Sequence, residues 1–508
     1  MSEWRPRRRS ELSIEPGKVQ DLLLDREVRV GPVSAALLER LDGSRSVPEV
    51  VDEVLALDPG RTRPTVEASL RSLMLLNLVE GAGDGVREKI RAQRASKDHP
   101  LRALPLARFA CQGVGDCCQS YLLGPLMKAD VERLEKLDIR AKLPQVGEAP
   151  YLEEIELEGK KETFLRRVED RCVFLLEDGR CGIHAHFGFR EKPFVCRVFP
   201  YTVALTFEGI RVADMGECST FAVSSQTGEA ATEIAGKLLE TLEGQLVLVH
   251  PTVQLPSLPC DSGHFAPVTD ALVELAGRGS GVGPTLAAVG ELLRGFVEAL
   301  EACPLEAGEP DATVSRFVEE VRGFKAVAPR ATRDDHEALA LLASALLGTI
   351  LPSVRSAKIL ARGVLSAGQQ RELSELLFLV RAVATRSALD PYHMRALQVP
   401  LGPEVQAALE LSIRQQIFAG RIFVKENVRA GVLRLSLAMA LSVLGGKLRA
   451  LGQGARQVRP LDLSWAHHLA QRGLRTPRND EIFVQQAALA WEACRSAASI
   501  VQGVDVGP

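Results

Sequence analysis

No stretch of this chain reads as an unbroken apolar run long enough to cross a bilayer. The longest nearly unbroken apolar runs, 338–351 and 435–446, fall short of the ~20 residues a spanning helix needs, so no membrane partner is expected. An apolar signal segment at its start is also missing, which makes the cytoplasm, where thiols stay reduced, the expected compartment. Positive charge is not in excess. With 62 Lys+Arg against 65 Asp+Glu the net charge is −3, and no global field draws the chain to nucleic acid or anionic lipid. The short basic arm of Arg5, Arg7, Arg8 and Arg9 reads as a solvated tail. No Ser-His-Asp order, HExxH pair or Walker loop occurs, so hydrolase and nucleotidase readings have no anchor. Nor does any fixed-period repeat support a solenoid.

What the chain does have is sulfur in one place. Seven of its ten cysteines, Cys111, Cys117, Cys118, Cys172, Cys181, Cys196 and Cys218, fall within about a fifth of its 508 residues, with His184 and His186 among them. Disulfide frameworks suit short exported chains, so this set reads as metal or iron–sulfur ligation. In FACQGVGDCCQSY, two glycines let the backbone fold back so that the later sulfurs can face Cys111. Adjacent Cys117 and Cys118 point to different faces of a helix or strand, which favours a polynuclear cluster or two neighbouring ions. In RCVFLLEDGRCGIHAHFG, an apolar strand-like run reverses at Asp178-Gly179. A strict hairpin there sets Cys181 opposite Leu176 rather than Cys172, so the return arm must leave the ladder if both cysteines are ligands. KPFVCRVFPY holds Cys196 between Pro193 and Pro200, with Arg197 beside it to offset thiolate charge. Such a donor set suits zinc and iron–sulfur clusters alike. Cys260, Cys303 and Cys494 stand alone and read as buried structural thiols.

The motifs FxCxGxGxCC, CxFL…GxCxIH and KPxxCRxFPY, in that order over roughly 109–218, resemble the YkgJ-like cysteine-cluster proteins. That resemblance implies a zinc- or iron-chelating domain whose metal is held among Cys111, Cys117, Cys118, Cys172, Cys181 and Cys196, with Cys218 or His184 free to complete the set. The family carries one more cysteine where this chain has Val114, so one expected ligand is absent here. The same cysteine plan followed by a long helical region also resembles the FliB-like flagellin lysine-N-methylases. This implies, as an alternative, an iron–sulfur-dependent protein-lysine N-methylase using S-adenosylmethionine.

Residues 11–82 form the first expected domain. A period-2 stretch at 27–30 reads as a strand, Ser34 caps a helix through Leu41, and Ser46 with Glu49 makes a capping box for a helix to about Leu57. A third helix from Pro64 places Val66, Leu70, Leu73 and Met74 on one face, and Leu78-Val79 reads as a short strand. This winged-helix pattern, with VSAALLERLDGSRSVPEVV at its centre, resembles PqqD-like peptide-recognition domains, which implies a peptide or protein partner added as an extra strand. Charge argues against DNA, since 8 Lys+Arg face 13 Asp+Glu over 11–82.

Residues 83–107 read as a partly helical linker and 108–225 as an α+β Cys-rich domain, with hairpins at Glu158-Gly159 and Glu208-Gly209. From 226 to 508 the pattern is all-helical, with seven to ten helices including 286–300, 315–327, 336–351, 371–388, 403–417, 428–451 and 481–500. LVELAGRGSGVG echoes a cofactor-cradling loop, but a helix-like run before Gly277 makes it a helix stop. His467-His468 reads as an exposed polar pair. The expected molecule is multidomain and mainly α: a winged-helix-like docking domain, an α+β metal domain and a helical bundle. The leading reading is a metal-binding cysteine-cluster protein with a docking module; the alternatives are the lysine methylase and a metal-stabilised scaffold without catalysis.

Overall fold

The computed structural model describes residues 4–503 except 97–98, 106, 121–122, 158–159, 170, 207, 215, 240–251, 354–366, 388 and 424. It is mainly helical, with a few small sheets. The chain opens with a three-stranded antiparallel sheet, Leu12–Glu15, Lys18–Asp21 and Arg26–Arg29 in sequential order, followed by helices Pro32–Arg40, Val47–Leu57 and Arg63–Leu75. The third strand and the later helices lie where periodicity and capping residues place them, and the Ser46 N–H donates to Glu49 Oε2 at 2.7 Å. The first helix begins before Ser34, because Pro32 is well suited to the first turn. The first two strands carry only weak alternation and are made strands by pairing across Gly17. Val19 and Val28 from the sheet meet Leu37, Leu70 and Leu73 from the helices in a core of their own.

The basic arm is not a solvated tail. The Arg8 N–H donates to Leu41 O at 2.7 Å, and Arg9, 6% exposed, donates from Nε to Asn77 O at 2.7 Å. Both carbonyls sit just past helix ends, where backbone acceptors lack intrahelical partners; the Arg8 backbone N–H supplies one and the Arg9 guanidinium the other.

Residues 83–107 contribute the helix Asp84–Ala95 and the strand Leu101–Ala103. Arg87 on that helix is fully buried against Asp21 at 2.6 Å, which ties it to the N-terminal sheet. Leu101–Ala103 pairs in parallel with Gly209–Asp214, whose other neighbour is Tyr201–Thr206. The register Thr206↔Gly209 makes Gly209 the first residue of the return strand, so it is not part of the turn as the Glu208-Gly209 reading expects. The Glu158-Gly159 turn lies outside the described residues, between the paired strands Leu152–Leu157 and Lys160–Leu165.

Helices Val282–Glu301, Glu309–Gly323, Arg333–Ser353, Ala367–Ala384, Pro403–Phe418 and Val428–Gly452 match the long periodic segments closely or overlap most of them. The 481–500 segment is two helices, Pro477–Gln485 and Ala490–Gln502, around a 3-10 turn at Ala487–Leu489. Short helices such as Ala231–Leu239 and Pro391–Leu397 carry the number past ten, and a small strand pair, Thr252–Gln254 with Pro259–Asp261, interrupts the helical run. Val428–Gly452 is long and apolar enough for a membrane span by composition, but 94% of that window is buried. A helix apolar on all sides belongs at the centre of a bundle, and this one packs against Pro460–Leu474 and Ala490–Gln502. The large core takes in Leu75 from the N-terminal helices, Leu104 and Tyr201, and runs through to Val501; it includes Cys218, whereas Cys172 belongs to a smaller core with Leu134, Phe174 and Ile183. The cysteine region therefore straddles two cores.

Candidate metal centre

Three backbone features assemble the cysteine motifs. Gly113 and Gly115, at φ +68 and +74, bend the first loop into the short helix Asp116–Ser120, which carries Cys117 and Cys118. Gly179, at φ +82, lies so close to that loop that a Cβ would overlap the Gly113 carbonyl oxygen. First and second motifs are thus joined backbone to backbone. Within the second motif the Leu176 N–H donates to Arg180 O at 2.9 Å, and Cys181 stands opposite Leu175, one residue from the expected Leu176. The chain then leaves the ladder into the helix Gly182–Phe187, as a ligand role for both cysteines requires, while Cys172 pairs with Arg167 in a separate two-residue ladder.

The third motif forms the helix Phe194–Val198 after Pro193. Its Phe194 N–H donates to Asp130 Oδ2 at 3.0 Å, and the same buried carboxylate holds Arg133 at 3.0 Å and Arg197 at 3.6 Å. Arg197 is therefore committed chiefly to Asp130. Lys192, two residues before Phe194, is the cation that favours the thiolate forms of Cys117 and Cys196.

The sulfurs of Cys117 and Cys118 lie 3.8 Å apart, so in this short helix the adjacent side chains converge instead of diverging. A tetrahedral thiolate site with metal–sulfur bonds of ~2.3 Å sets its sulfurs about 3.8 Å apart, and the pair fits two corners of such a site. Contact with Cys118, aided by Lys192 against burial, brings the Cys117 thiol down to about 7. The same contact, with burial, pushes Cys118 up. Burial raises Cys172, and the charges of Cys196, Cys181 and Cys117 add to it. Cys196 is pushed up to about 12 by burial, with Lys192 opposing and Cys181 and Cys117 adding. Cys218 is likewise pushed up to about 12 by burial, against a contact with Thr220 Oγ1 at 3.2 Å. Cys117 acts on Cys118, Cys172, Cys196 and Cys218, so these thiols share one electrostatic neighbourhood.

Cys111 is exposed. His184 is exposed too, 6.0 Å from the Phe189 ring, and partial burial with Lys192 nearby holds its imidazole below the usual value, in the neutral form a metal ligand needs. Among the described residues, no three Cys, His, Asp or Glu side chains form a closed ligand set. Protonated thiols gain nothing by closing up; where a metal replaces their protons, its binding energy also orders the chain. Lys192 had a local signal in the KPFVC stretch, whereas Asp130 and Thr220 carried none.

The helical bundle covers one side of this region. The Ala222 N–H donates to Ser464 Oγ at 2.9 Å, His468 Nδ1 donates to Glu217 O at 2.6 Å, and Arg475 pairs with Glu217 at 2.5 Å. His467-His468, expected to be exposed, is buried because Pro460–Leu474 is packed on several sides. His467 bridges Ser412 Oγ at 3.0 Å and Ser442 Oγ at 2.9 Å. Gly277 ends the helix Ala266–Ala276, so no strand precedes the glycine-rich loop as an S-adenosylmethionine cradle would require. Cys260, Cys303 and Cys494 are buried, as expected.

Residues 110–224 match the CxxCxxCC family model, described as "Putative zinc- or iron-chelating domain". The match covers the cysteine segment and supports metal binding there in general terms. No curated protein and no solved structure matches the chain.

Proposed function

We propose that the cysteine segment holds zinc, iron or an iron–sulfur cluster, and that the N-terminal unit docks a peptide or protein beside it. The observation that carries the metal reading is the Cys117–Cys118 pair at a tetrahedral-edge separation, within electrostatic reach of Cys172, Cys196 and Cys218. Cys117, Cys118, Cys172, Cys181 and Cys196 would be the principal ligands, with Cys218, Cys111 and His184 completing the set. Bound there, a metal would fix the three motifs to one another and supply Lewis-acid or redox chemistry according to its identity. The docking reading is supported by the strand Leu12–Glu15, which pairs on one side only among the described residues, and by the net acidity of 11–82.

Metal analysis and optical spectroscopy of protein purified without oxygen test the metal reading. Cys117→Ser and Cys196→Ser are expected to lose most of the bound metal, while Cys303→Ser and Cys494→Ser keep it. Visible charge-transfer absorption indicates an iron–sulfur cluster, and a colourless zinc protein indicates a structural site. Fewer than about one metal atom per chain in the unaltered protein would sink the reading.

A further inference from the structure

Away from the cysteines, a cavity of about 510 Å³ lies between helices Val282–Glu301 and Ala490–Gln502 and the irregular stretch 324–330. That volume suits a small organic molecule. Its walls follow from helical spacing. Ala287, Gly290, Glu291 and Arg294 recur at i, i+3, i+4 and i+7 on one helix, and Trp491, Cys494 and Arg495 at i, i+3 and i+4 on the other. One stripe of each helix therefore faces the space. The helices touch at Gly290, where a Cβ would lie 2.5 Å from Cys494 Sγ, and the small Ala287 beside it leaves the floor open. Trp491 and Phe324 supply apolar walls, and Val327 stands 68% exposed at the rim.

Charge around this apolar space has one sign in excess, with three arginines facing Glu291. Arg495 is held by Asp335 at 2.7 Å, and Arg294 reaches Glu298 only at 4.0 Å. Arg330 is exposed on the irregular stretch. Trp491, itself only 7% exposed, has an indole N–H with no acceptor. An apolar space rimmed by two loosely held guanidinium groups, those of Arg294 and Arg330, matches a ligand with an apolar body and one negative end.

We propose that this cavity binds a small organic carboxylate, its apolar body between Trp491 and Phe324 and its carboxylate at Arg330 and Arg294. Octanoate is the probe, titrated into the full chain and followed by heat of binding and tryptophan fluorescence, with octylammonium as the opposite-charge control. Saturable octanoate binding is expected, with octylammonium much weaker. Trp491→Phe is expected to remove the fluorescence change while heat of binding remains. Arg330→Ala is expected to weaken octanoate by about tenfold, the worth of one charge-assisted hydrogen bond. Because Arg330 is exposed, that variant keeps its melting temperature, and Ala287→Met, which fills the floor, weakens binding independently. Absence of saturable binding, equal binding of octylammonium, or undiminished affinity when Arg330 and Arg294 are both alanine would overturn the assignment.

Discussion

At Gly179 the backbone turns at φ +82, and the space a Cβ would need is filled by the Gly113 carbonyl. Gly179→Ala therefore meets both a backbone penalty and a clash with a neighbouring main chain, which no rotamer can relieve. A loss of roughly 3 kcal/mol is expected in urea unfolding, with less metal retained. Gly147 serves as the control: its φ is +66 but a Cβ there meets open space, so Gly147→Ala should cost only about 1 kcal/mol. Equal losses at the two positions would mean that the junction between the first and second cysteine motifs does not matter. The glycines of this site were legible as turn formers, but that one of them is a contact surface for another loop was not. Spacing likewise marked the cysteines while leaving Asp130, the residue that orients the third motif, without a signal.

Where the strand Gly209–Asp214 ends against the helix Pro403–Phe418 and Gly216 comes up to His467, two buried groups oppose each other in their response to pH. Burial, aided by Arg475 and His468, holds the His467 imidazole at about 3, below its ordinary 6.5. The unfolded chain then takes up this proton first, so stability from His467 is complete above pH 6.5 and is lost as pH falls towards 3. Burial also raises the Asp214 carboxyl from 3.8 to about 7, so its contribution is complete below pH 3.8 and is lost as pH rises towards 7. Between about pH 4 and 6.5 the two slopes nearly cancel. Asp214→Asn leaves His467 alone, and the variant's stability should climb by roughly 3 kcal/mol across that window, read from urea midpoints. A flat profile in the variant would show that His467 is not held neutral by the fold. A pair of histidines on a helix gives no local sign of this, because the serines that receive His467 come from two other helices.

The N-terminal unit is seated on the bundle by a buried ion pair. Arg26, on the third strand, meets Asp261 at 2.9 Å with the carboxylate fully buried, and Arg71 Nε donates to Cys303 O at 2.7 Å. Arg26→Ala strands a buried charge and is expected to cost about 3–5 kcal/mol. Adding Asp261→Asn should recover part of that loss. The measurement is the thermal midpoint of the full chain; an unchanged midpoint in Arg26→Ala would show that the two units are not coupled. Any peptide docked on the N-terminal sheet would then be presented on a body fixed to the bundle rather than on a loose tether.

Features encoded by neighbours a few residues apart were present in the sequence itself: the capping pair Ser46 and Glu49, the long helices, the three cysteine motifs and the helix stop at Gly277. Each depends on spacings of two to four residues, which the covalent chain sets directly. Tertiary structure alone decided the rest. It docked Arg9 on the carbonyl of Asn77 just past a helix end, buried His467 between serines, brought the Cys117 and Cys118 sulfurs to 3.8 Å and drew the 83–107 segment into two sheets' surroundings. The physical reason is that the burial and charge of a polar side chain are set by partners tens to hundreds of residues away, whose arrival depends on the packing of whole elements.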